Sequence, residues 1–177
     1  MITGTSARSS GFSMIEVLVS LLIIVIGVLG MVGLQSKAVP YTQDSVQRNN
    51  AIMLADDLIE LIRSSSFDGT TNYKSFQKPV GSAFPTPQTS CVPTPISIPD
   101  RLGCWAAQAA TMLPTTPSQL LNSFYICWST IPGDATSAIC PGGSEVEIQL
   151  AWTVKPGACL DGSSTATTCT YKIRTRL

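Results

Sequence analysis

The chain has 177 residues, with 11 Lys and Arg balanced by 11 Asp and Glu and no histidine, a length that suits one small domain beyond any membrane segment. Charged residues make up 12% and no basic tract occurs, so the phosphate-neutralising surface of a nucleic-acid binder is missing and no nucleic-acid partner is expected. Without histidine, with few acids beyond the apolar segment and with no nucleophile motif such as G-x-S-x-G, the chain does not read as a membrane-tethered enzyme, and no catalytic, cofactor-binding or metal-binding residue is assigned.

Met1 to Ser10 are small, polar and unpatterned, with Arg8 as their one charge. Val17 to Leu34 then form 18 uncharged residues, about 27 Å of helix at 1.5 Å per residue, close to the roughly 30 Å of a bilayer core. Phe12 to Glu16 lengthen the segment by more than a turn and put Glu16 near one membrane face, where a charge costs less than at the centre. An ordinary secretory signal has a shorter apolar stretch and a small-residue cleavage site after it. Here Gly11 stands before the stretch, and cleavage after Gly11 removes the leader while keeping the helix. A simple single-pass anchor needs neither the Gly11-Phe12 junction nor a glutamate at this spacing.

Gly11 followed by Phe12, Ser13, Met14, Ile15, Glu16 and then VLVSLLIIVIGVLG resembles the class III signal of type IV pilins and pseudopilins. The resemblance implies that a prepilin peptidase cuts after Gly11 and N-methylates Phe12. It also implies that Glu16 pairs with the terminal amine of a neighbouring subunit during fibre assembly. Physical chemistry supports the last point independently, because an ionised carboxylate in hydrocarbon is tolerated chiefly when paired.

Gly27, Gly30 and Gly33 recur every three residues, permitting close helix contact in a membrane while weakening the helix by up to about 1 kcal/mol each relative to alanine. Pro40 removes a backbone donor and is expected to kink the helix or open it locally. Beyond it Ala51, Leu54, Ala55, Leu58, Ile59 and Ile62 recur at i, i+3, i+4, i+7, i+8 and i+11, with Asp56, Asp57, Glu60 and Arg63 on the other face. That is the pattern of an amphipathic helix packed on a soluble domain. A dimerising coiled coil needs more heptads than the two or so found here. Ser64 to Ser66 and Gly69 mark the expected end.

Six cysteines, Cys91, Cys104, Cys127, Cys140, Cys159 and Cys169, all follow the apolar segment. An even count in a small exported domain reads as disulfides; a zinc site is disfavoured by the missing histidine and the absence of any C-x-x-C pair. Fifteen pairings exist, and order together with the strand pattern favours neighbours: Cys91 with Cys104, Cys127 with Cys140, Cys159 with Cys169. Phe67 to Pro99, rich in proline, serine and threonine, reads as a long loop tied down by Cys91. Leu102, Trp105, Ala106, Ala109 and Leu113 have helical spacing, ended by Pro114.

Ser123 to Thr130, Glu145 to Val154 and Cys169 to Leu177 alternate apolar and polar residues with period two, the signature of half-buried strands. Glu145 and Glu147 are expected to pair across strands with Lys172, Arg174 and Arg176. The fold class expected is α+β: a long N-terminal helix laid on a small antiparallel sheet with disulfides, which is also the pilin roll. A Cys159–Cys169 bond would close a C-terminal loop like the one common in pilins.

Within the family, GFSMIEVLVSLLIIVIGVLGMVGLQSKAV and AIMLADDLIELIRS are similar to minor pilins of the PilV type. The organisation expected is a leader at 1–11, a transmembrane and assembly half of the helix at 12–39, its amphipathic half at 40–66 and a disulfide-bonded domain at 67–177. The resemblance implies an inner-membrane protein with a periplasmic domain that passes into the fibre. Its implied partners are prepilin peptidase, other minor pilins, the major pilin and the inner-membrane assembly platform. The competing readings are a minor pseudopilin of a type II secretion system and a membrane-anchored tip adhesin.

Overall fold

The computed structural model describes residues 13–66, 73–87, 90–136, 138–160 and 165–177, apart from the side chains of 37, 66, 73, 74 and 136. The chain divides into two compact units, one ending at Val39 and the other running from Pro40 to Leu177.

Helix α1 spans Met14–Ser66 and continues through Pro40. The local opening anticipated at that proline is not seen, since a missing N–H removes only one i→i−4 bond of a long ladder. In the second unit α1 buries one stripe: Ala51, Leu54, Ala55, Leu58 and Ile62 are fully buried, while Asp56, Asp57 and Glu60 face outward.

The stripe packs into a core shared with helix α2 (Ile98–Met112) and a sheet of strands β1 (Tyr125–Ser129), β2 (Glu145–Thr153) and β3 (Thr168–Arg176). The sheet is antiparallel in the order β1-β2-β3. Ile126 faces Ile148, which faces Ile173, while Trp152 faces Cys169. This register puts the apolar set of all three strands on the side of α1, as period-two alternation requires. The α+β pilin-like architecture expected from sequence is therefore present.

Two details depart from the expectation. Helix α2 begins at Ile98, four residues before the periodic run starts at Leu102, because Ser97 caps it through Asp100 N and Pro99 sits in the first turn, where proline costs no hydrogen bond. A short helix α3 (Pro117–Asn122) follows, closed by a capping box between Thr116 and Gln119. Gln119 then bridges two strands, donating to Thr168 Oγ1 and accepting from Thr153 Oγ1, each at 2.9 Å.

The proline-rich segment contains a 3-10 turn at Tyr73–Phe76 and a single bridge, in which Lys78 exchanges two 2.9 Å backbone bonds with Ile126. Further along, Pro85 and Pro87 press on α2 at Gly103. A Cβ there would stand 2.5 Å from Pro85 O, so glycine is what lets the segment lie flat on the helix.

Cystines join Cys91 to Cys104, Cys127 to Cys140 and Cys159 to Cys169, each across 10 to 13 residues. Loops of that size are stabilised by on the order of 3 kcal/mol in the chain-entropy account. The first fastens the proline-rich segment to α2, the second the β1–β2 connection to β1, and the third the β2–β3 connection to β3.

Strand β1 is buried on both faces, unlike the half-buried strand its alternation suggests, because the β1–β2 connection folds back over Tyr125 and Cys127. This second layer holds Glu147, whose Oε1 accepts from Tyr125 OH at 2.6 Å and whose Oε2 accepts from Gly133 N at 3.0 Å. Arg174 lies opposite Glu147 in register but forms its ion pair with Glu145, diagonally, at 2.5 Å.

Burial and the Glu147 carboxylate raise the Tyr125 pKa above the usual 10. A raised pKa contributes stability that is complete below pH 10 and is lost as pH rises further. Tyr125→Phe is expected to lower the unfolding free energy by about 1.5–3 kcal/mol below pH 10, the gap to wild type narrowing above it. Urea unfolding of the detergent-solubilised protein at graded pH measures both; a gap that stays constant from pH 9 to pH 11 (about one unit either side of 10) contradicts it.

Candidate functional site

In the first unit, α1 opens with Ser13 O accepting from Glu16 N at 2.9 Å. Glu16 thus lies in the first turn, where the helix dipole favours a negative group. Every side chain from Ser13 to Ser36 is exposed within the chain, and an 18-residue window reaches a mean hydropathy of 3.0. Apolar surface of that extent needs lipid or protein around it, and the helix is long and apolar enough to cross a membrane.

The hydroxyls in this half are satisfied locally. Ser20 Oγ donates to Glu16 O at 2.7 Å and Ser36 Oγ to Gly33 O at 2.8 Å, the back-bonding that lets serine sit in an apolar helix. At 100° per residue, Glu16, Ser20, Gly27 and Gly30 share one face, and Cβ atoms added at the glycines would meet nothing within 4 Å. One side of the apolar helix is therefore smaller and more polar than the rest, a shape suited to close helix approach. Gly11 and Phe12, the other two residues singled out by sequence, lie outside the described residues.

The second unit holds a group that sequence did not single out. Asp44 is fully buried; its Oδ1 accepts from Trp152 Nε1 at 2.8 Å and its Oδ2 from Leu160 N at 2.9 Å. Arg48, one turn on, lies 3.8 Å from Oδ2 and 5.6 Å over the Trp152 ring. One carboxylate thus joins α1 to β2 and to the loop closed by Cys159–Cys169. A polar side chain on a helix gives no sign of a partner more than a hundred residues away, so nothing in the local pattern could reveal it.

Lys78 is another buried ion, donating to Leu121 O at 2.8 Å and Phe124 O at 2.6 Å. Burial brings its pKa down to about 8. Both groups knit loops to the core and neither borders a nucleophile. A groove of about 630 Å³ runs between Asp57 and Leu61 on α1, α2 and the Cys91 loop. Among the described residues no group of acids and cysteines could hold a metal.

Residues 6–32 match the model of the prokaryotic N-terminal methylation motif. Residues 33–112 match the model described as type IV pilin Tt1218. The second match ends at the last residue of α2, so the sheet lies beyond it. Neither the curated proteins nor the solved structures compared with the chain yield a match.

Asp44→Ala would leave the Trp152 indole as a buried donor without an acceptor, at about 1–3 kcal/mol, and would take the acceptor from the part-buried Leu160 amide. Chemical denaturation should show a loss of about 2–5 kcal/mol, with faster hydrogen exchange at Leu160. Unchanged protection at Leu160 would contradict the tie between α1 and the C-terminal loop.

Proposed function

Because the chain is a type IV pilin-like protein, of a family that builds structures rather than turning over substrates, we propose that it is a minor type IV pilin, assembled through α1 into the initiating complex at the pilus tip. The class III signal implies processing by prepilin peptidase and assembly by a membrane machinery. The further steps are proposals: cleavage after Gly11, N-methylation of Phe12, and pairing of Glu16 with the terminal amine of a neighbouring subunit. Before assembly the chain would be a single-pass inner-membrane protein with a periplasmic domain. In the fibre it would contact other minor pilins and the major pilin, delivered by the inner-membrane platform.

The observation that carries this reading is the change of character along α1. Its first half is apolar on all sides with one carboxylate at the start, and its second half buries a single stripe. The first half suits lipid before assembly and other helices after it, since both surroundings are apolar. The likeness to PilV-type segments supports the minor role, and the small, cystine-tied domain suits it.

Intact-mass and N-terminal analysis of the protein from membranes and sheared fibres should show a chain beginning with N-methyl-Phe12. A chain still beginning at Met1 in both fractions would sink the assignment. Recovery in sheared pili supports the pilus, whereas lost exoprotein secretion with intact pili supports a type II secretion pseudopilin. Glu16→Val should leave membrane insertion and the three cystines intact but lower recovery in fibres by about tenfold or more, the loss of one buried ion pair. Normal recovery would return Glu16 to a headgroup contact.

A further inference from the structure

A hollow of about 430 Å³ opens at the first residues of the second unit, a size that suits a small ligand. Pro40, Gln43 and Gln47, at i, i+3 and i+7 on one face of α1, form one wall. Thr153 and Lys155, the last residue of β2 and the second beyond it, form the other. Lys155 is exposed and has no ion pair among the described residues. Asp44 and Arg48, the charged residues next to Gln43 and Gln47 on α1, lie 3.8 Å apart and offset each other. Lys155 is therefore left to set the sign of the hollow, and it favours an anion.

Gln47 adds a second demand. Its side chain is half-buried, and its Oε1 is shut from solvent without a hydrogen-bond partner among the described residues. An unmet buried acceptor is costly, while the terminal amide torsion of glutamine is soft. A ligand that brings an N–H or O–H into the hollow gains a bond that the chain itself does not supply.

The chain keeps a ligand with both properties close by. Pro40 stands six residues after Leu34, the end of the apolar run. Six residues cover about 9 Å as helix and no more than about 22 Å in any conformation. Once the apolar run lies in a bilayer, the hollow is tethered beside the headgroup layer, which is about 5–8 Å deep. Tyr41, the next residue, is exposed and is of a type enriched at that depth.

We propose that the hollow between Gln43, Gln47 and Lys155 takes the headgroup of a phospholipid from the bilayer that α1 enters, its phosphate against the Lys155 ammonium and its amine or hydroxyl against the Gln47 amide. The inference rests on the proposed function in one respect, that the first half of α1 lies in lipid before assembly. A seated headgroup holds the second unit at the membrane face, and withdrawal of α1 from the bilayer breaks the contact.

The test uses the full chain, extracted from its membrane and reconstituted in vesicles of phosphatidylethanolamine with phosphatidylglycerol, with p-benzoylphenylalanine in place of Gln43. Irradiation should add the mass of one phospholipid to the peptide carrying position 43. The same photoprobe in place of Ile96, exposed just before the start of α2, should add none. Lys155→Glu should lower the adduct at 43 about fivefold or more, as one lysine at an anionic surface predicts. Lys155→Arg should keep it, and Gln47→Leu should lower it. Equal adducts at 43 and 96, or a yield indifferent to Lys155→Glu and Gln47→Leu in chains whose six cysteines remain oxidised, overturn the proposal. So does protection of residues 153–158 from hydrogen exchange when inorganic phosphate alone is added to the detergent-solubilised chain, the mark of a free-phosphate site. N-terminal analysis of the extracted chains separates the two readings. Processed chains without the charge-dependent adduct overturn the lipid contact alone, while chains that form it yet still start at Met1 uphold the contact and overturn the processing.

Discussion

The fold of the second unit depends on one constraint: the stripe Ala51, Leu54, Ala55, Leu58 and Ile62 must leave water, and the sheet is the surface that receives it. Each of these side chains is fully buried, and burying a leucine or isoleucine contributes about 1.5–3 kcal/mol. The sheet responds by turning the apolar set of β1, β2 and β3 to one side, and α2 closes the core with Leu102, Trp105 and Ala109. Trp105 also donates its indole N–H to Leu54 O at 2.9 Å, and Asn50 reaches Met112 O at 3.2 Å. Hydrophobic burial draws these elements together without fixing their relative rotation, whereas the directional bonds fix it.

Asp44 has a related role near the start of the unit. A carboxylate without solvent is costly unless its lone pairs are used, and here two N–H donors and a nearby arginine use them. The group therefore makes the position of α1 conditional on the loop closed by Cys159–Cys169. Lys78 does the same for the proline-rich segment, donating to two carbonyls around the α3–β1 junction. The irregular segments are held by covalent bonds and buried ions because they have little continuous apolar surface of their own.

What was legible from sequence follows from which interactions are periodic. The stripe of α1 and the alternation of three strands have fixed periods, 3.6 and 2, and their residues lie where those periods put them. Helix α3 carried a readable signal, Thr116-Pro117-Ser118-Gln119, a capping box with proline at the first position. The start of α2 at Ile98 was hidden because Pro99 breaks a helix everywhere except its first turn. The partners of Asp44, Lys78 and Glu147 could not be read at all. Each is hydrogen-bonded to a backbone group, an indole or a phenol supplied by a distant segment, and no local pattern encodes that meeting. The expected Glu147–Arg174 pair illustrates the limit. Strand register puts the two residues opposite each other, yet Tyr125 and Gly133 already occupy the Glu147 carboxylate and Arg174 turns to Glu145.

The candidate assembly surface divides between two kinds of force. The half of α1 from Met14 to Leu34 offers attraction with little orientation, since leucine, isoleucine and valine side chains in a bilayer or a bundle are nearly interchangeable in their contacts. Glu16 adds a single oriented interaction at its beginning. A helix free to slide and rotate against its neighbours still needs something to set its register, and a carboxylate, tolerated in apolar surroundings chiefly when it is paired, supplies that direction where nonpolar side chains cannot.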